Sequence, residues 1–324
     1  MTIENLPSLR AQVITRRTYN RPLEEGGFES WEQTVDRVIG HQRWLWERAE
    51  AAPVALDSEL SELRQLMLDR KVLTSGRTLW LGGTEVAKKR EASQFNCSFT
   101  NIETVMDCVD ALWLLLQGCG VGFRPIVGQL TGYQKPIPKL TIKRSERTAK
   151  GGVAHNEETF DAATGVWTIK VGDSAEAWAK SIGKLVAHKY AASELVLDFT
   201  EIRPSGDRLA GYGWISSGDA SLCKAYTAIH KLLNRRSGSL LTRMNILDLV
   251  NWMGTVLSSR RSAEIALFTF GEDEWEQFAV AKKDFWIANE QRAQSNNSLV
   301  FNTKPLKVEL EKIFGLMVAS GGSE

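Results

Sequence analysis

The chain lacks any apolar run long enough to cross a bilayer, and its opening MTIENLPSLRAQV has no signal-peptide core, so a cytoplasmic protein off the membrane is expected. It lacks a charge bias: 40 Lys and Arg stand against 39 Asp and Glu, leaving +1 and no global field to draw it onto nucleic acid. Cysteines number only four and share no regular spacing, which excludes a disulfide scaffold and suits reduced thiols in a cytosol. His41, His155, His188 and His230 are dispersed without ligand spacing, so no metal is expected. There is no Walker loop, no serine-nucleophile motif and no internal repeat.

What is present is a globular composition. The 324 residues are 43% apolar with 11 tryptophans, enough for one large domain or two smaller ones. Helical and extended stretches alternate, which argues an α/β architecture. Residues 1–30 read as an irregular arm. A helix is expected over Trp31 to Ala51, with Ser30 and Gln33 spaced as a capping box, and another over Ser58 to Arg70. LTSGRTLWLGGTE reads as a turn, broken at Ser75-Gly76 and Gly82-Gly83. Gln134 to Lys143 reads as extended, restricted by Pro136 and Pro138 to an edge or a loop; Ser145 to Asp161 reads as a mobile loop, and Arg144 to Gly152, the best linker candidate, as a loop within one domain. Strands follow at Val166 to Val171 and Glu194 to Phe199, around a helix over Ser174 to Tyr190. After the long irregular run TEIRPSGDRLAGYGWISSGDASL come helices over Leu222 to Asn234 and Asn245 to Leu257. A polar break at Ser258 to Arg261 precedes the strand AEIALF, a helix over Glu272 to Ala288, a strand over Ser298 to Phe301 and a helix over Leu306 to Val318.

The chain is organised around SQFNCSFTNIETVMDCVDALWLLLQGCGVGFRPIVG, residues 93–128. A short strand carries Cys97. A helix follows with Val105, Met106, Val109, Trp113 and Leu116 near one face, and then a glycine turn over Gly118 to Gly122, where a ligand can approach the backbone. Cys97 has two readings, a buried small hydrophobe or a site thiol, and its polar neighbours Asn96 and Ser98 favour the second. Cys108, Cys119 and Cys223 form no C-x-x-C pair and read as packing thiols. Arg260-Arg261 could grip phosphates bidentately or end a helix as solvated cations.

Eight segments in order resemble the class II, adenosylcobalamin-dependent ribonucleotide reductases, of the monomeric ribonucleoside-triphosphate reductase type. They are RRTYNRPLEEGGFESWEQTVDRV, LTSGRTLWLGGTE, FNCSF, GCGVGF, LVLDFTEIRPSGDRLAGYG, SSGDASL, SSRRSAEIALF and SNNSLVFN. The resemblance implies an α/β fold in which an N-terminal helical layer, residues 1–72, precedes the first part of a ten-stranded reductase barrel, residues 73–324. It implies that Cys97 is one half of the redox pair that reduces the ribose. Thr74, Ser75, Asn96, Ser98, Gly120 and Gly122 would line the substrate pocket. Ser258, Ser259, Arg260, Arg261 and Ser262 would form the specificity loop that senses a deoxynucleotide effector, and the helix ending at Leu116 and the loop after Arg203 would help build the effector site. It further implies adenosylcobalamin as cofactor, a ribonucleoside triphosphate as substrate, and a thioredoxin-like or small dithiol reductant. In that chemistry a thiyl radical takes a ribose hydrogen, a hydroxyl leaves as water and a thiol pair becomes a disulfide.

One departure from the pattern shapes the expectation. The family's finger loop, with its radical cysteine and carboxylate, is absent, as are its second redox cysteine and C-terminal reducing cysteines. The chain is therefore expected to be an N-terminal portion that is inactive without a C-terminal portion. The alternative is a non-catalytic nucleotide-binding module derived from such a reductase, and the third possibility is a fragment with no stable fold.

Overall fold

The structure, a computed structural model, describes residues 8–149, 151–209, 212, 214–257 and 264–321. The chain forms two compact units, one of residues 1–96 with 209–214 and one of residues 97–208 with 215–324. The division falls at 96/97, whereas the sequence suggested 72/73.

The first unit is helical: α1 (Leu9–Thr18), α2 (Trp31–Arg48), α3 (Leu56–Leu68), α4 (Gly76–Leu81) and α5 (Glu85–Lys89). Ser30 and Gln33 close the expected capping box on α2, each satisfying a backbone N–H of the other. Val35 and Val38 of α2 pack against Met67 and Leu79 in a small core. Arg37 ties the layer together: its guanidinium meets the Glu29 carboxylate at 2.7 and 2.9 Å and the Leu79 carbonyl at 2.9 Å.

Two expectations fail in this unit. The arm is not irregular throughout, because α1 lies within it. That helix buries only Thr15, so it has no apolar stripe to betray it; Ser8 caps it by accepting from Ala11 N at 3.2 Å. LTSGRTLWLGGTE is not a turn, because Ser75 caps α4 and Gly76 is its first helical residue.

The second unit begins with β1 (Cys97–Ile102), α6 (Val105–Leu116) and β2 (Gly120–Pro125). It continues through β3 (Lys139–Lys143), β4 (Glu157–Asp161), β5 (Val166–Lys170), α7 (Ala175–Ala187), β6 (Glu194–Asp198), α8 (Asp219–Arg235) and α9 (Arg243–Gly254). It ends with β7 (Glu264–Thr269), α10 (Trp275–Ala279), α11 (Phe285–Ala288), β8 (Ser295–Val300) and α12 (Lys307–Ser320).

These strands make two sheets. One has the order β1-β2-β7-β8 with every pair parallel. The other has the order β3-β6-β5-β4, with β4 antiparallel to β5. The α/β expectation therefore holds, and of the extended segment Gln134 to Lys143 only Lys139–Lys143, past both prolines, forms a strand, β3, at a sheet edge. Strands β3 to β6 do not extend the first sheet; they form one of their own. The helix α6 follows from its pattern, with Thr104 and Asp107 in a second capping box, but it buries Cys108, Val109, Ala111, Leu112 and Leu115 and leaves Met106 61% exposed. The buried face is thus turned from the one expected.

Three further expectations are corrected. The glycine turn is confined to Gly118, with φ +80°, and Cys119; Gly120 and Gly122 lie inside β2. The loop over Ser145 to Asp161 contains β4, whose β-branched and aromatic residues pair with β5 across Phe160 and Trp167. The helix over Glu272 to Ala288 is two short helices separated by turns, with Glu274 and Asp284 in left-handed backbone conformations at φ 68° and 51°. Charged residues at Lys282, Lys283 and Asp284 interrupt its apolar spacing. Among the described residues no helix is long and apolar enough to cross a membrane.

Candidate active-site face

The sheet β1-β2-β7-β8 has two unlike faces. In a strand successive side chains alternate, and in a parallel pair register partners point the same way. One face presents Ile102, Val121, Phe123, Ala266 and Phe268, all buried, with α6 and α9 packed on it. The other presents Cys97 beside Gly120 and Phe99 beside Gly122, and continues through Ile265 to Asn296. Cys97 is a free, exposed thiol, Phe99 is 57% exposed and Ile265 is 47% exposed. A parallel sheet is ordinarily covered on both faces, and among the described residues of this unit helices α6 and α9 pack on one of them.

The glycines give the open face its relief. A Cβ on Gly122 would lie 3.0 Å from the Phe99 ring, so the ring leans across the position that a side chain would occupy. Cys97 lies one register step away, beside Gly120 on the same face. The neighbouring Cys119, in the turn before β2, is fully buried. Cys97 and Cys119 are both free thiols, one exposed and one buried.

The residues singled out from the sequence separate accordingly. Cys97, Gly120 and Gly122 share the open face. Ser98 does not: it pairs with Val121 on the covered face, its hydroxyl donating to the Gly120 carbonyl at 3.4 Å. Thr74, Ser75 and Asn96 belong to the first unit. There Ser75 caps α4, the Asn96 amide oxygen accepts from Arg77 Nε at 3.4 Å, and the Thr74 hydroxyl is buried without a partner. Ser258, Ser259, Arg260, Arg261 and Ser262 lie outside the described residues, as do Gly211 and Gly213 of the irregular run. The loop after Arg203 starts from an anchored residue, since Arg203 Nε donates to both Asp173 oxygens at 3.0 and 2.9 Å.

Sequence reasoning passed over Phe99, Ile265 and Asn296. Alternation from Cys97 along β1 finds Phe99, whereas Ile265 and Asn296 come only from the register of β2, β7 and β8. It also passed over Glu264. The first residue of β7 is 2% exposed, on the covered face, with one carboxyl oxygen accepting from Asn251 Nδ2 at 2.7 Å and the other without a partner. Gly254 makes the room: a Cβ there would sit 2.1 Å from that second oxygen. Burial pushes the Glu264 carboxyl up to about 8, against the opposing pull of the Asn251 bond. The signal was legible as an acid inside the apolar run AEIALF.

Over residues 4–84 the chain matches the family profile of the ribonucleotide reductase alpha domain, and over residues 139–233 that of the insertion domain of B12-dependent ribonucleotide reductase. The second match covers the separate sheet of β3 to β6. The adenosylcobalamin-dependent ribonucleoside-triphosphate reductase of Lacticaseibacillus paracasei is 30% identical over 90% of this chain and 45% of its own length. The enzyme of the same description from Lactobacillus helveticus is 28% identical over the same shares. A crystal structure of a B12-dependent, class II ribonucleotide reductase superposes with a TM-score of 0.72 at 26% identity, over 89% of this chain and 45% of that one. The chain spans about half the length of the curated relatives it matches.

Proposed function

We propose, for a chain related in sequence and fold to the class II ribonucleotide reductases, that it supplies one side of a ribonucleotide-reducing site, with Cys97 as one thiol of the redox pair. The observation that carries this reading is the exposed Cys97 thiol on the open face of a parallel sheet, in register with Gly120 and on the same face as Gly122, positions without side chains. An accessible thiol is what a redox role needs, and small residues beside it let a sugar come close. The substrate is a ribonucleoside triphosphate. Residues 258–262 sense a deoxynucleotide effector, and a thioredoxin-like protein or small dithiol restores the thiols.

The electron balance sets a requirement. Two thiols become one disulfide and release two electrons and two protons: one proton leaves with the ribose hydroxyl as water, and the electron pair with the other proton makes the new C–H bond. Cys97 provides one thiol. Cys108, Cys119 and Cys223 are buried in the interior, so the second thiol comes from further protein, either a longer form of this polypeptide or a second chain, laid over the open face. Gly122 and Phe99 shape that face.

Adenosylcobalamin, on which the relatives depend, supplies radical chemistry when bound. The described residues beside Cys97, Phe99 and two glycines, offer no donor set for that cofactor, and no step here runs through it. The chain by itself is expected to show no turnover.

The test is reconstitution. The chain is supplied with the covering protein, adenosylcobalamin, a ribonucleoside triphosphate and a dithiol, and deoxynucleotide is measured. Cys97→Ser is expected to reduce dithiol-driven turnover to background while the exposed position leaves stability within about 0.5 kcal/mol. Undiminished turnover by the serine variant overturns the reading.

A further inference from the structure

The first unit holds a cleft of about 510 Å³ between α1, the segment joining it to α2, and the end of α3. That is within the size range of small-molecule sites. It is lined by two cations, Arg16 and Arg70, two aromatics, Phe28 and Trp31, and the polar Thr15 and Asn20. Three features set it apart from a packing fault.

Asn20 is 5% exposed, and its amide is orientationally fixed. Its Nδ2 donates to the Glu29 carbonyl, an acceptor only, so the Oδ1 must face the other way. That oxygen is buried and has no partner. An acceptor left in this state costs about 1–3 kcal/mol.

Arg70 sits just past the C-cap of α3 with φ 57°, where helices ordinarily place glycine. A side chain kept there at the cost of backbone strain has a task that glycine cannot do. The guanidinium lies 4.2 Å from the Trp31 ring centroid and donates to Thr15 Oγ1 at 3.2 Å. Burial works against its charge.

The cations are not neutralised from within. Arg16 lies over the Phe28 ring at 5.8 Å, and among the described residues neither it nor Arg70 pairs with a carboxylate. The one carboxylate lining the cleft, Glu29, is committed elsewhere. It accepts from Arg37 Nε and Nη2, Arg21 N and Thr34 Oγ1, and although burial opposes it, these partners hold it below the usual carboxylate range.

We propose that this cleft binds a small anion, a phosphate monoester or carboxylate gripped by Arg16 and Arg70, that also carries a hydroxyl or amino group donating to Asn20 Oδ1. Guanidinium forks suit both anions, and a donor on the ligand satisfies the buried acceptor that this cleft leaves open. The site lies wholly within the first unit and does not depend on the reading of Cys97.

The test is calorimetric titration of the full chain with inorganic phosphate, glycerol phosphate and glycerate. The two hydroxyl-bearing probes are expected to bind, at least one of them about tenfold more tightly than inorganic phosphate, and the preferred anion distinguishes phosphate from carboxylate ligands. Arg70→Gly suits the left-handed backbone, so it is expected to melt no lower than the parent while weakening the preferred probe about tenfold. Arg16→Gln, a surface change, is expected to weaken it as well and serves should Arg70→Gly not fold. The proposal fails if no probe binds at millimolar concentration, if inorganic phosphate binds as tightly as both hydroxyl-bearing probes, or if the folded variants bind as the parent does.

Discussion

The four thiols differ in environment. Burial, with Asp107 adding to it, pushes Cys108 up to about 12, and burial with Asp219 pushes Cys223 up to about 11. Cys119 is fully buried, and Cys97 alone is exposed. A thiol-alkylating reagent at neutral pH is therefore expected to label Cys97 on the native chain and the other three only after denaturation, as mass spectrometry of the digest would show. Two buried groups give the fold opposing pH dependences. Glu264 has its folded value raised from 4.5 to about 8, so its neutral form favours folding below pH 4.5 and that contribution is lost as pH rises through 8. The loss is on the order of 4 kcal/mol, and Glu264→Gln is expected to flatten it in denaturant titrations across that window. His230 runs the other way. Asn234 Oδ1 accepts from Ile137 N at 2.8 Å, so Asn234 Nδ2 donates to His230 Nε2 at 3.0 Å, and the ring's proton sits on Nδ1 facing Tyr133 Oη. Burial, then Lys231, lowers His230 from 6.5 to about 4. Its contribution is present above pH 6.5 and lost as pH falls through 4, about 3 kcal/mol in all, and His230→Gln is expected to remove that acid-side slope.

At the scale of the element, long helices with their own caps were legible. Ser30 with Gln33 marked the start of α2, and α8 and α9 lie within a few residues of their expected bounds. Elements whose stability is not written in their own pattern were not. Helix α1 lacks an apolar stripe, α4 is a single capped turn and a half, and β4 is a strand only because β5 pairs with it. The glycines of β2 misled because glycine signals a turn in isolation and a close approach within a sheet. Another close approach fixes the crossing of α6 and α7. A Cβ on Gly183 would lie 2.6 Å from Val109 Cγ2. Gly183→Ala is expected to cost about 1–3 kcal/mol in urea unfolding, and the pair Gly183→Ala with Val109→Ala to recover part of it, which a double-mutant cycle measures.

For the molecule as a whole, apolar surface remains uncovered. On α12, Val308, Phe314 and Val318 are 66%, 57% and 82% exposed, and only Ile313 of that helix is buried. With Phe99 and Ile265 on the open sheet face, these form patches that fit contact with further protein. The chain alone is expected to bind an apolar fluorescent dye strongly, and addition of the covering protein to suppress both that signal and the alkylation of Cys97. Unchanged alkylation on assembly would separate the open face from the contact surface.

The sequence by itself determined the alternation of helix and strand, the caps that start the long helices, and the position of Cys97 on a strand, because each depends on neighbours within a turn or two of chain. Tertiary structure alone decided that β3 to β6 leave the first sheet for one of their own, and that Ser98 and Cys97 part to opposite faces. It also decided that Glu264 is buried beneath α9 and that Asn20 and Arg70 meet in one cleft. Register and burial are set by segments far apart in the chain, and a local pattern carries no information about which strand lies alongside.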